Sequence, residues 1–184
     1  MGKILKFLAG RDKLSAFEEL VHPHVEPLYK LAYRFTNNAM EAEDLVQDLL
    51  VKLYPRAHEL EKVEKLRPWL ARVMYRMWVD KLRSQRLAPT DAVEDITELE
   101  QDVEVVDPES LPEHAYQRSI TRQKLLQALE QLSENHRIVV MLHDVEGYSL
   151  EEMKVILECA IGTLKSRLHR ARERLKNLLD DGTF

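Results

Sequence analysis

Glycine and cysteine are scarce in this chain, with five glycines and one cysteine among 184 residues. A single thiol, Cys159, cannot close a disulfide within the chain, so cysteine usage gives no sign of an oxidising compartment. No apolar run approaches the roughly 18 residues a membrane-spanning helix needs. The opening MGKILKFLAGRDK has a short apolar patch but neither the hydrophobic core nor the cleavage signal of a secreted protein. Lys6 stands where a myristoylation signal wants Ser or Thr. A cytoplasmic location without membrane insertion is expected. No Gly-rich phosphate loop and no nucleophile elbow occurs, which argues against an enzyme. His22-Pro23-His24 is the nearest approach to a metal motif, but no cluster of Cys, His and carboxylates with ligand spacing accompanies it. No metal and no cofactor is expected.

Basic residues are absent from one long window. Residues 88–115 hold ten Asp or Glu, three of the seven prolines and no Lys or Arg. That composition cannot bury enough apolar surface to fold and predicts a flexible acidic linker. The formal net charge of −5 is therefore a poor average. Outside the window stand 22 acidic and 27 basic residues, a net of +5. Two mildly basic pieces joined by an acidic one point to a nucleic-acid partner.

What is abundant is Leu, Glu, Lys and Arg at helical spacing, which predicts an all-α fold. In FEELVHPHVEPLYKLAYRFTNN the residues Leu28, Leu31, Ala32 and Phe35 form one stripe. The Asn pair at its end suits one helix stop and the next helix cap. AMEAEDLVQDLLVKLY follows, with acids in its first turn and Leu45, Val46, Leu49, Leu50 and Leu53 as the buried face, and Pro55 ends it. After the polar RAHELEKVEK comes LRPWLARVMYRMWVDKLRSQRL, with Pro68 near its start. Helical spacing returns at about Tyr116: RQKLLQALEQL offers Leu125, Leu126, Leu129 and Leu132, and ENHRIVVMLHDVEG forms a helix ending near Gly147.

Ser149 and Glu152 then match a capping box that opens a short helix to Leu157, and a second helix runs from about Ala160 to Leu178. The short turn between them suits a helix-turn-helix. At 100° per residue, Leu164, Leu168, Ala171, Leu175 and Leu178 form a packing seam. Gly162, Thr163, Ser166, His169 and Arg170 lie opposite, with Lys165, Arg167, Arg172 and Arg174 on the flanks. Such a face suits major-groove reading with phosphate neutralisation, or alternatively a solvated basic face on a core helix; periodicity alone leaves both open.

GTLKSRLHRARERL, preceded by GYSLEEM and ALEQLSENHRIVVML, resembles the C-terminal promoter-reading domain of bacterial extracytoplasmic-function sigma factors. AEDLVQDLLVKLY and LRPWLARVMYRMWVDKLR resemble the two central helices of the N-terminal sigma domain, in the same order and with an acidic linker following. The likeness spans about residues 14–180. It implies two small helical domains: 1–87 for polymerase docking and −10 melting, and 116–184 for −35 recognition, with 88–115 as linker. By resemblance, Asp44, Gln47 and Asp48 dock on core RNA polymerase. Arg72, Tyr75, Arg76, Trp78 and Lys81 meet the single-stranded −10 element, where aromatic and basic side chains suit stacking and charge neutralisation. The loop from about Arg56 to Lys65 matches one that holds a base turned out of the stack, whereas Trp69 and Leu70 read as core. Thr163, Ser166 and Arg170 are the expected readers of double-stranded −35 DNA; Lys165, Arg167, His169 and Arg172 are the expected phosphate holders. An anti-sigma factor is a further implied partner. The alternatives are a stand-alone helix-turn-helix regulator and a helical adaptor that does not bind DNA.

Four positions depart from the family pattern. Met74-Tyr75-Arg76 replaces an Ala-Arg-Asn run, Lys154 stands where a small residue is usual, and Ala160 where Pro is usual. Glu158 occupies the turn position that usually holds Gly. A Glu adopts positive φ only at a cost, so a differently built turn is expected there.

Overall fold

The computed structural model describes residues 13–87 and 124–180. The opening segment to residue 12 and the expected linker 88–115 lie outside the described residues. Among the described residues there is no strand, and no helix is long and apolar enough to cross a membrane. The chain forms two helical domains.

The N-terminal domain begins with α1 (Lys13–Thr36), which runs unbroken through Pro23 and Pro27. An interior Pro costs a helix about 3 kcal/mol. Against that, Phe17, Val21, Val25, Leu28, Leu31 and Phe35 bury one face of the helix, and each fully buried apolar side chain contributes about 1.5–3 kcal/mol. Packing wins. Asn37 ends α1 in the left-handed region, φ 53°, its N–H donating to the Tyr33 carbonyl at 2.7 Å. Asn38 caps α2 (Ala39–Leu53), its Oδ1 accepting from the N–H groups of Met40 and Glu41. Leu45, Val46, Leu49, Leu50 and Leu53 are buried, as the periodicity predicts.

A 3-10 turn at Tyr54–Arg56, with Pro55, ends that helix. The polar stretch expected to be a loop holds one helical turn, α3 (Ala57–Leu60), pinned by buried Leu60 and an Arg56–Glu59 ion pair. The long helix α4 (Leu66–Leu87) completes the domain with Leu70, Ala71 and Met74 in the core.

In the C-terminal domain α5 (residues 124–130) buries Ala128 and Leu129, while Leu125 and Leu126 stay exposed. After it come α6 (Glu134–Val140) and a single π turn over Met141–Val145. Gly147, at φ +71°, lets the chain reverse, and the Tyr148 N–H then donates to the Leu142 carbonyl at 2.9 Å. The expected capping box opens α7 (Leu150–Leu157): the Glu152 carboxylate accepts from the Ser149 N–H at 2.8 Å, and the Glu152 N–H donates to Ser149 Oγ at 3.2 Å. Three residues later α8 (Ile161–Asp180) begins, burying the predicted seam of Leu164, Leu168, Ala171, Leu175 and Leu178. The two domains are packed together, with α4 lying along α7.

Candidate nucleic-acid interface

Asp44, Gln47 and Asp48 all point away from the core of α2. Met40 and Val51, exposed at either end of the same face, extend it into an acidic strip with apolar ends.

The face of α4 differs from the expectation at one residue. Trp78 is 6 % exposed, its ring stacked on Phe35 at 5.0 Å between centroids. The indole belongs to the core here and is not free to stack on a base, which corrects the assignment of Trp78 to single-stranded DNA. The physical reason is the partner supplied by α1: Phe35 offers a flat apolar surface at the one rotation where α4 crosses it. Tyr75 is partly buried and packs edge-on to Phe35 at 5.9 Å. Trp69 is partly buried against the core and Leu70 fully so, both as expected. Lys81 is exposed and 3.6 Å from Glu41 of α2.

Arg72 and Arg76 are one turn apart on α4 and converge on a single carboxylate, that of Glu158 in the helix-turn-helix turn. Arg72 Nε donates to Glu158 Oε1 at 2.9 Å, and Nη2 groups of both arginines donate to the same oxygen. These bonds, Arg76's foremost, hold the Glu158 carboxyl below the usual carboxylate range. Two further arginines continue the contact. Arg34 pairs with the largely buried carboxylate of Glu146. Arg67 donates to the Glu146 carbonyl at 2.6 Å and lies 4.5 Å over the ring of Tyr148. The sequence reading missed this cross-domain cluster; the available signal was an acid at a position that favours glycine.

Glu158 does adopt the left-handed conformation, φ 52° and ψ 39°, so the turn keeps the geometry a glycine would give it. That corrects the expectation of a differently built turn. A β-carbon there costs about 1–2 kcal/mol, and in that conformation the Glu158 carboxylate meets two guanidinium groups. Lys154 is exposed, so its long side chain projects from the surface of α7 where a small residue is usual. Ala160 supplies the carbonyl that accepts from Leu164 N–H at 3.1 Å, and α8 starts without a proline.

On α8 the expected readers Thr163, Ser166 and Arg170 are exposed, as are Lys165 and His169. Ser166 Oγ donates to the Thr163 carbonyl at 3.0 Å. His169 faces Glu173 at 3.6 Å, and Arg167 is half-buried. Arg172 is already engaged: its Nε donates to Asp144 Oδ2 at 3.0 Å, and that bond holds the Asp144 carboxyl below its ordinary range. It ties α8 to the π turn, while the Arg172 side chain stays 52 % exposed. No group of three or more metal-ligating side chains occurs among the described residues.

The domain pattern has counterparts among known proteins. A family model described as Sigma-70 region 2 matches residues 20–88, and one described as Sigma-70, region 4, matches residues 122–175. RNA polymerase sigma factor CarQ of Myxococcus xanthus is 31 % identical over 166 residues, 90 % of each chain. The RNA polymerase sigma-H factor of Pseudomonas aeruginosa is 30 % identical, over 92 % of this chain and 89 % of that one. ECF RNA polymerase sigma factor SigE of Mycolicibacterium smegmatis is 32 % identical over 90 % of this chain, which spans 62 % of that relative's length. Among solved structures, the sigma factor RpoE in complex with the anti-sigma factor NepR from Bartonella quintana is similar with a TM-score of 0.66 and 27 % identity, covering 89 % of this chain and 96 % of that one. Two sigma domains in series, and relatives similar along nearly the whole chain, give one conclusion: this chain belongs to the extracytoplasmic-function RNA polymerase sigma factors of the sigma-70 family.

Proposed function

We propose that the chain binds core RNA polymerase and directs it to promoters, with no catalysis of its own, in the cytoplasm where transcription occurs. The domain division carries the labour: 1–87 docks and opens the −10 element, 88–115 links, and 116–184 reads the −35 element. The exposed strip of Asp44, Gln47 and Asp48 is the polymerase contact. Arg72, Tyr75 and Arg76, with Lys81, serve the single strand; Thr163, Ser166 and Arg170 read bases, while Lys165, Arg167, His169 and Arg172 hold phosphates. An anti-sigma factor fits as a further partner, as in the complex of the structural relative.

One observation supports this reading above a stand-alone regulator: among the described residues Asp44, Gln47 and Asp48 are exposed without an ion pair, and Met40 beside them is 74 % exposed. Filter binding of promoter DNA with and without core polymerase tests the reading. The chain should bind promoter DNA well only in the holoenzyme, whereas a repressor binds alone and an adaptor not at all. Asp44→Arg with Asp48→Arg should weaken assembly with core polymerase while the fold stays intact. Each lost charge-assisted contact is worth about 1.5–3 kcal/mol. Undiminished co-purification with core polymerase would refute the assignment.

A further inference from the structure

We propose that Glu158 is the catch of an ionic latch that holds the helix-turn-helix domain closed over α4 in the free chain. Three observations converge. The contact is polarised: Arg34, Arg67, Arg72 and Arg76 stand on the N-terminal side, facing the Glu146 carboxylate and carbonyl, the Tyr148 ring and the Glu158 carboxylate on the other. The catch is held in a strained backbone conformation: Glu158 is one of two non-glycine residues at positive φ among the described residues. The latch also covers the residues read as meeting DNA, because Glu158 occupies the guanidinium groups of Arg72 and Arg76 that would otherwise meet phosphates.

The chemistry suits a switch and not a permanent joint. The Glu158 pairs are well exposed, with Arg76 and Glu158 side chains at 55 % and 44 %, so each is weak alone and screened by salt. Glu146 is the less exposed of the two carboxylates, its side chain 9 % exposed beside Arg34. A carboxylate bridging two arginines mimics a phosphate oxygen, so DNA and Glu158 compete for the same donors. Holding the two domains apart on polymerase would break the contact and release α4.

Energy transfer between dyes on cysteines replacing Lys30 and Lys176, in a chain carrying Cys159→Ala, reads the closure directly. Glu158→Arg and Glu158→Gly should both lower the transfer efficiency; the glycine variant suits the turn and keeps the domain folded. Raising salt from 0.1 to 1 M, which shortens the screening length from about 10 to about 3 Å, should do the same to the parent chain. Adding Arg72→Glu and Arg76→Glu to Glu158→Arg reverses the charges and should restore transfer. Unchanged transfer in both single variants would overturn the latch. The DNA consequence rests on the function proposed above and is read separately, as binding of a single-stranded −10-type oligonucleotide without polymerase. The Glu158 variants should bind it several-fold more tightly. Lowered transfer with unchanged oligonucleotide binding upholds the latch and counts against Arg72 and Arg76 as DNA contacts.

Discussion

Trp78 shows how one contact reassigns a side chain. An indole on a basic helix reads as a stacking platform until Phe35 is found 5.0 Å away and nearly parallel, at 19°. Removing a large buried aromatic costs about 3–5 kcal/mol. Trp78→Ala should therefore lower the urea midpoint of unfolding in the free chain, and a variant as stable as the parent would return Trp78 to the surface. Arg172 and Asp144 pose the same question for the C-terminal domain. If the pair braces α8, Arg172→Ala and Asp144→Ala should each destabilise, and the double variant should cost less than the sum of the two. A double-mutant cycle reads that coupling, and strictly additive effects would remove the brace.

Among the elements, one carboxylate caps the start of α7 and another, on the π turn, pairs with the middle of α8. The Glu152 carboxyl is held below its ordinary range, chiefly by the backbone N–H of Ser149, and Asp144 by Arg172. Both groups bind protons more weakly folded than unfolded. Their contribution to stability is thus fully present above the unfolded carboxylate values of about 4 and fades as pH falls through the lower folded values. Unfolding followed by circular dichroism should show the C-terminal helices losing stability below about pH 4. Glu152→Gln should flatten that loss, since an amide does not titrate, and an unchanged acid limb would locate the sensitivity elsewhere.

The whole molecule is an arrangement of charge as much as of helices. Ten carboxylates between residues 88 and 115 turn a chain of net +5 into one of net −5. Long-range repulsion from that segment should keep the free chain off arbitrary DNA, while the latch covers α4 at short range. Replacing the ten acids by their amides should strengthen non-specific duplex binding by the free chain and steepen its dependence on salt, measured by fluorescence anisotropy at several salt concentrations. A salt slope identical to the parent's would remove the segment from that role.

Much of this architecture was legible in the sequence because it rests on near neighbours. Asn38, Ser149 and Glu152 act on N–H groups two or three residues away, and the α8 seam follows from a repeat of three and four residues. The exposure of Asp44, Gln47 and Asp48 follows from the same periodicity, since the Leu face of α2 leaves them nowhere else to point. The helices, their caps, their buried faces and the charge each domain offers therefore follow from local sequence. Which side chains those faces meet depends on how the helices pack together. Arg72 and Glu158 are 86 residues apart, and Arg67 and Glu146 are 79 apart. No local spacing relates them: their meeting depends on how α4 and α7 are rotated and brought together, which is set by packing between helices and not by the periodicity within either one.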